Sequence, residues 1–459
     1  MEEQTIEQEL RELIASGREE AIRAYCAELH PATVAESISG LESAEIWRFL
    51  MALDIHLRAD IFSHFELDRQ VELVRGQNRS DMAGLLEEMP PDDRADLVQR
   101  LDPKVREEIL PLVAKAERED IRKLVSYEQG SAGSVMSSDY ATLRPDLSAM
   151  EAIEEIRKQA PSKETIYYIY VVDEQRRLAG FVSLKDLILA KPGKTVRDLM
   201  HHDIITALVA EDQEEVARKI EKYDLIAIPV VDTNNVLVGI ITYDDALDII
   251  RQEQAEDIEK FMAISGRHKV GEYLRTPALR HFQNRVWWVL GLAIVGLLSG
   301  VIIHRFENVL TNLLILALYM PMLADTGGNT GSQSATVVVR ALALREISYR
   351  DVLRVLSKEF RISLMLAVLL GVLSFGKVML LSRGADIPRG HSLLNIAVVI
   401  ATALGLQVIT STLFGAMLPL IAAKFKQDPA VVASPALTTC VDITGLLIYF
   451  LTAKTLLGV

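Results

Sequence analysis

Residues 393–423 (LLNIAVVIATALGLQVITSTLFGAMLPLIAA) run for 31 positions without a charged side chain. A water-soluble domain has no way to bury both faces of so long a segment, whereas a lipid bilayer supplies the solvent it needs. As a straight helix it would reach roughly 46 Å at about 1.5 Å per residue, more than a hydrocarbon core of about 30 Å. It must therefore tilt, kink or project, with Gly405 and Pro419 as the expected bends. Four more apolar stretches flank it. Val286–Ile303 begins with Trp287 and Trp288, where an aromatic belt is expected, and Asn308–Val339 carries Asp325 as its one charge and a Gly-rich break at Gly327, Gly328 and Gly331. Ile362–Ser382 is interrupted only by Lys377, and Pro429–Ala453 contains Pro435 and Asp442. The expected membrane part is a polytopic α-helical domain with five transmembrane helices over residues 275–459.

Charge divides at the same boundary. Residues 1–274 hold 55 Asp/Glu and 33 Lys/Arg, whereas residues 275–459 hold 8 and 16. An acidic surface attracts cations and repels phosphates, which argues against nucleic acid as a partner. Five spans place the chain ends on opposite sides. Arg340, Arg345, Arg350, Arg354, Lys358, Arg361, Lys424 and Lys426 fall on one side, and Arg305, Arg383 and Arg389 on the other. The positive-inside rule then puts the N-terminus in the cytosol and the C-terminus outside, and the basic flank Arg275, Arg280 and Arg285 agrees. The acidic start MEEQTIEQEL does not read as a signal peptide, so the first span is expected to direct insertion. Cys26 and Cys440 lie in different halves and fit neither a disulfide framework nor a zinc site.

An internal repeat occupies 131–250. Val171-Val172-Asp173 is followed seven residues later by Gly180 and thirteen later by Asp186; Val230-Val231-Asp232 is followed at the same intervals by Gly239 and Asp245. Upstream, Met136, Asp139, Thr142, Glu151 and Ile156 correspond to Met200, Asp203, Thr206, Glu215 and Ile220. Each unit reads as helix, strand, strand, helix, with strands in YYIYVV, GFVSL, IAIPVV and VGIITY. These spacings resemble a tandem pair of CBS domains, an α+β regulatory module. That resemblance implies an adenine-nucleotide cleft, for which Tyr168, Lys185, Asp186 and Asp245 are the candidates. The other reading of the two Asp residues is that each caps the helix that follows.

Residues 1–130 read as an all-α superhelical N domain. Short amphipathic segments (HPATVAESISGL, MPPDDRADLVQRL, DPKVREEILPLV) alternate with Pro and Asp breaks that start helices. From Thr242 to Ile264 one helix is expected, the core of a connecting element over 242–270. It is crowded with Asp244, Asp245, Asp248, Glu253, Glu256, Asp257 and Glu259. Like charges three or four residues apart destabilise a helix by a few tenths of a kcal/mol per pair. A divalent cation bound among them would relieve that repulsion; a solvated helix face is the other reading.

PMLADTGGNTGSQSATVVVRAL (321–342) and SPALTTCVDITGLLIYF (434–450) complete a pattern that resembles the MgtE family of Mg²⁺ transporters and channels over essentially the whole chain. The resemblance implies a homodimer in a bacterial-type cell membrane, with the pore on the two-fold axis and Asp442 as its carboxylate. Physical chemistry supports that role. A mid-membrane Asp costs about 2.5–3.5 kcal/mol on insertion scales and so belongs in a wet, functional cavity. Two such carboxylates suit Mg²⁺, which gives up its water reluctantly. Pro435 is expected to break the helix upstream of Asp442 and free carbonyls toward the ion. Asp325 and Asn329 are further candidates for pore lining. The resemblance also implies regulatory Mg²⁺ sites. Their ligands are Asp245, Asp248, Glu253, Glu256 and Asp257 in the connecting helix, Asp212, Glu214 and Asp224 in the second repeat, and Asp92 and Asp96 in the N domain, with Asp93 as a register alternative. At high cytosolic Mg²⁺ the bridged acids would compact the soluble part and the connecting helix would close the pore.

Two other readings stay open at this point. One changes the ion to Mn²⁺, Co²⁺ or Ni²⁺, against which the oxygen-only surroundings of Asp442 argue. The other is a membrane-tethered nucleotide sensor that transports nothing. No Walker motif, Gly-x-Ser-x-Gly or His-rich cluster suggests an enzyme.

Overall fold

Proline and short polar caps dictate the first third of the chain. Helices run over Glu19–Ala27 (α1), Pro31–Ile38 (α2), Ser43–Met51 (α3), Ile55–Ser63 (α4), Leu67–Val74 (α5), Arg79–Glu88 (α6), Pro91–Arg100 (α7), Pro103–Ile109 (α8) and Lys115–Val125 (α9). Pro31, Pro91 and Pro103 each occupy the first helical position, where the missing N–H costs nothing. Asp54, Asn78 and Asp102 cap their helices through side-chain oxygens. Each helix is too short to persist alone, so stability comes from one shared core of Ile38, Ile46, Phe49, Leu50, Phe62, Leu73 and Leu85. In the computed structural model, residues 10–264, 276–429 and 435–458 are described, apart from 12, 15–17, 386 and 389. The acidic N-terminal start, the end of the connecting element after 264, Arg275, Arg389, Ser434 and the side chain of Pro435 lie outside the described residues.

The repeat folds as two three-stranded sheets. Tyr140–Leu143 (β1) pairs in parallel with Thr165–Val172 (β2), which pairs antiparallel with Leu178–Ser183 (β3). Ala149–Gln159 (α10) and Leu184–Ile188 (α11) complete the first unit. The second unit contains Val196–Leu199 (α12), Ala207–Leu208 (β4), Gln213–Lys222 (α13), Ala227–Val231 (β5) and Leu237–Thr242 (β6), ordered β4-β5-β6. Register explains the conserved spacing between the two units: Val171 faces Gly180 and Val230 faces Gly239. A Cβ on Gly180 would lie 2.8 Å from the carbonyl oxygen of His201, and one on Gly239 would press on Met136 and Ser137. Each unit's entry segment therefore lies on the last strand of the other unit, Ser137 bridging Ile240 and His201 bridging Phe181. The four expected strands are present, and the short strands β1 and β4 are additional.

The helix Tyr243–Phe261 (α14) follows β6. Residues 1–251 form one compact unit and 252–459 a second, so α14 starts in the first and ends in the second. The second unit holds Ala278–Arg305 (α15), Glu307–Asn312 (α16), Met320–Ala343 (α17), Val352–Leu381 (α18), Leu393–Lys424 (α19) and Pro435–Leu457 (α20). Among the described residues, α15, α18, α19 and α20 are long and apolar enough to cross a membrane. The polar motif DTGGNTGSQS keeps α17 out of that set, although α17 packs against α19 and α20.

One expectation is corrected here. Gly327, Gly328 and Gly331 do not break the second stretch, because α17 runs through them without interruption. The break falls earlier, at the six-residue 3₁₀ turn Leu314–Tyr319. The glycines stay helical because neighbouring helices cover them: a Cβ on Gly331 would lie 3.1 Å from the Ser411 carbonyl oxygen, and one on Gly415 of α19 would overlap the carbonyl of Gly331. The described part of α20 begins at Pro435, and residues 430–434, where a break upstream of Asp442 would fall, lie outside the described residues.

Candidate functional site

Three groups of residues carry chemistry. The first lies where the N domain meets the repeat. Arg94 of α7 is buried and pairs with Asp120 of α9 at 2.7 Å, while Asp120 also accepts from Ser138 at 2.8 Å. Ala95 packs in one apolar cluster with Val216, Ile241 and Ala246. This anchoring turns the first turn of α7, with Asp92 and Asp93, toward Asp245 in the first turn of α14. Burial pushes the Asp92 carboxyl well above the carboxylate range, and Asp93, Asp245 and Glu164 push it further. Asp93 is raised to about 7 by burial, with Asp245, Asp96 and Glu164 adding. Glu164 is raised to about 7, again by burial first. Asp245 is raised by burial, opposed by its hydrogen bonds from Thr242. Asp92 Oδ1 is buried and lacks a hydrogen-bond partner. Like charges confined together in a poorly solvated place are what a divalent cation stabilises.

Glu164 was missed from sequence. It precedes β2, and the equivalent position of the second unit is Tyr223, so comparing where the repeats differ would have flagged it. Asp93, the register alternative, feels the charge of Asp245, and Asp96 adds to it. Asp212 is spent differently: it caps α13, accepting from the N–H groups of Glu214 and Glu215. Glu214 contacts Arg218, Asp248 lies 3.3 Å from Arg251, and Asp224 sits exposed in a left-handed turn (φ 51°). Among the described residues no group of three or more His, Cys, Asp or Glu side chains is arranged to hold a metal ion. Hydrated Mg²⁺ needs only one or two carboxylates with water completing its shell.

The second group lies in the first repeat. Tyr168 meets Phe181 edge to face (5.4 Å between ring centres), and Phe181 stacks on His201 at 5.1 Å. His201 Nε2 lies 3.2 Å from Asp186, which also accepts from Ser183 Oγ at 2.6 Å. The Ser183 bond, with His201 adding, holds Asp186 below the usual carboxylate range. Both Asp186 and Asp245 accept from the residue that opens their helix, so the capping geometry is present at each. Lys185 neighbours Asp186 in the first turn of α11.

The third group is in the second unit. Asp442 sits on α20, half-buried, and its side chain makes no hydrogen bond or ion pair among the described residues. Asp325 and Asn329 share an exposed face of α17, Asn329 donating to Asp325 Oδ1 at 3.2 Å. The end of α14 lies against the same bundle. Lys260 bridges Glu256 (2.9 Å) and Asp428 (3.4 Å), and Phe261 packs on a cluster of Ala335, Leu437 and Val441. Burial, with Asp428 adding, raises Asp257. Glu253 adds to that charge from one turn earlier. Lys377 of α18 reaches Met322 Sδ at 3.9 Å.

Comparison with known proteins matches this arrangement segment by segment. The family model for a divalent cation transporter (MgtE) covers residues 320–452, that for the MgtE intracellular N domain covers 29–130, and CBS domains cover 132–193 and 196–252. The chain is 36% identical to the magnesium transporter MgtE of Thermus thermophilus, over 98% of each protein. It is 36% identical to the magnesium transporter MgtE of Bacillus subtilis, over 95% of this chain and 94% of that one. Among solved structures it resembles the soluble part of a magnesium transporter (30% identity, TM-score 0.52), covering 55% of this chain and 99% of the other. It also resembles the cytosolic domain of the Mg²⁺ channel MgtE in complex with ATP (35% identity, TM-score 0.50), covering 52% and 98%.

Proposed function

This chain belongs to the MgtE family of magnesium transporters, and we propose that it conducts Mg²⁺ into the cytosol through a pore built around Asp442 at the axis of a homodimer. The observation that carries this reading is Asp442 itself, a carboxylate on an apolar helix with no protein partner among the described residues. An unpaired acid at membrane depth is kept for an ion or a cavity. No residue of α15 is fully buried, which supports the dimer, since lipid or a second copy has to cover its outer face. With α17 counted as a span beside the four longer helices, the N-terminus is cytoplasmic and the C-terminus outside. The test is Mg²⁺ uptake by proteoliposomes against protein-free vesicles, with Mn²⁺, Co²⁺ and Ni²⁺ as competitors. Uptake that prefers one of these over Mg²⁺ would reassign the ion.

Closure by cytosolic Mg²⁺ is the second part of the proposal. The raised carboxylates Asp92, Asp93, Glu164 and Asp245 are the residues that would hold the ion, with Asp96 and Asp248 at the edge. Asp212, Glu214, Asp224, Glu253, Glu256 and Asp257 would serve further sites. Bound Mg²⁺ supplies only charge there, removing the repulsion that loosens the assembly. The packed end of α14 is the closed arrangement in this reading. Lys260 acts as a fixed cation there: burial works to lower its pKa, and the bond to Glu256 with the charges of Glu256 and Asp428 outweighs that effect. Lys260→Glu is expected to raise the internal Mg²⁺ needed for half-closure about 5-fold, corresponding to ~1 kcal/mol for a partly exposed pair. Flux titrated against internal Mg²⁺ reads this, and an unchanged midpoint would separate Lys260 from closure.

The repeat is proposed to take ATP or a related adenine nucleotide beside Asp186, with Tyr168 and Lys185 at the cleft and Asp245 at the equivalent position of the second unit. ATP is expected to raise the melting midpoint of the purified protein, and Asp186→Ala is expected to remove that rise. Retention of the full shift in the variant would move the nucleotide elsewhere.

A further inference from the structure

Gln407 stands in the middle of the 31-residue uncharged segment and is fully buried. A neutral amide in that setting is costly unless its polar atoms are used. Its Nε2 donates to the main-chain carbonyl of Val441 on α20 at 2.9 Å. That carbonyl also accepts from Thr444 Oγ1 at 3.1 Å, a contact Thr444 shares with the Cys440 carbonyl, so the Gln407 amide joins a shared acceptor. The amide also fills a slot between two glycines. A Cβ on Gly327 of α17 or on Gly445 of α20 would collide with it, and Val441 Cγ1 closes the slot at 3.0 Å from the Gly327 position. Gln407 Oε1 is buried with no hydrogen-bond partner, so the donor side alone is used by the protein.

We infer that Gln407 is a positioning residue for transport: its amide, wedged between Gly327 and Gly445 and bonded to the carbonyl that precedes Asp442, fixes the rotation of α20 and with it the direction of the Asp442 carboxylate. The inference rests on the reading of Asp442 as the pore acid. Apolar helix faces alone specify rotation weakly, because Leu, Ile and Val pack nearly as well after a small turn. One residue of slip would swing a side chain by about 100° around the helix axis. A single directed hydrogen bond in an apolar environment has no substitute nearby, so it selects one rotation out of several that pack comparably. The side chain acts through α20 and does not touch the ion.

The test reads rotation separately from flux. In full-length protein carrying Cys440→Ser, position 442 is made a thiol by Asp442→Cys, and its modification by a charged methanethiosulfonate reagent is timed in proteoliposomes. The thiol is expected to react readily with Gln407 present, and at least about 5-fold more slowly with Gln407→Met, which keeps length and removes the donor. With Asp442 intact, Gln407→Met and Gly445→Ala are each expected to lower the maximal Mg²⁺ flux about 10-fold and to narrow the preference for Mg²⁺ over Ca²⁺. The double variant is expected to be no worse than either single one. A thiol that reacts equally fast in the Gln407→Met protein overturns the inference and leaves Asp442 in place. A thiol that is inert even with Gln407 present overturns the placement of Asp442, and the inference with it. Gln407→Leu repeats the comparison if Gln407→Met fails to yield folded protein, and retention of wild-type flux and selectivity in whichever variant folds overturns the inference.

Discussion

Mg²⁺ uptake through the Asp442→Ala variant is expected to fall to the level of protein-free vesicles. In the proposed dimer, two copies of Asp442 facing one axis would present a charge of −2 to a dication. At an effective dielectric near 20, each carboxylate about 5 Å away attracts Mg²⁺ by several kcal/mol, before the cost of displacing water. Loss of ~3 kcal/mol would already lower occupancy more than 100-fold. Asp442→Asn keeps the volume and loses the charge, so it should behave like Asp442→Ala; Asp442→Glu should keep partial flux. Asp442→Asn that conducts as well as wild type would sink the electrostatic role, and attention would pass to Asp325 and Asn329 on the exposed face of α17.

Removal of the inhibitory effect of internal Mg²⁺ is the second large effect, expected when Asp92, Asp93 and Asp245 are replaced together by Asn. These groups meet Glu164 in a place where burial and mutual repulsion disfavour their charged forms. The same physics fixes a pH dependence. Asp93 and Glu164 titrate near 7 in the folded protein, against about 4 when unfolded. A carboxyl raised on folding adds stability that is complete below about pH 4 and lost as pH rises through 7. Metal-free protein should therefore melt at a lower temperature at pH 8 than at pH 6. Mg²⁺ should restore the midpoint at pH 8, since an ion that binds only the folded form at 100 times its Kd contributes about 2.7 kcal/mol. Asp93→Asn should flatten the pH dependence and weaken the Mg²⁺ response together. A triple variant whose flux is still shut by internal Mg²⁺ would place regulation on the other acids, with Glu253, Glu256 and Asp257 the first to test.

The membrane half was legible because it is written in length and charge. Leu393–Ala423 was expected as one span and is α19, Leu393–Lys424, to within one residue. The strands of the repeat were legible because each register-setting glycine sits at a fixed distance from its Val-Val-Asp run. The Gly-rich motif misled, since glycine weakens a helix in isolation and the covering side chains of Gln407 and Val441 are invisible to local reasoning.

The sequence by itself determined that this chain has an acidic soluble part, a two-fold repeat and a membrane part, because composition and period respond to solvent and to strand geometry. Tertiary structure alone decided which acids meet. Asp93 and Glu164 are 71 positions apart and share no local pattern, yet the Arg94–Asp120 pair and the Ala95 contact bring them to one place beside Asp245. It also decided what holds Asp442, because the hydrogen bond from Gln407 to the Val441 carbonyl joins two helices whose apolar faces carry no directional information of their own.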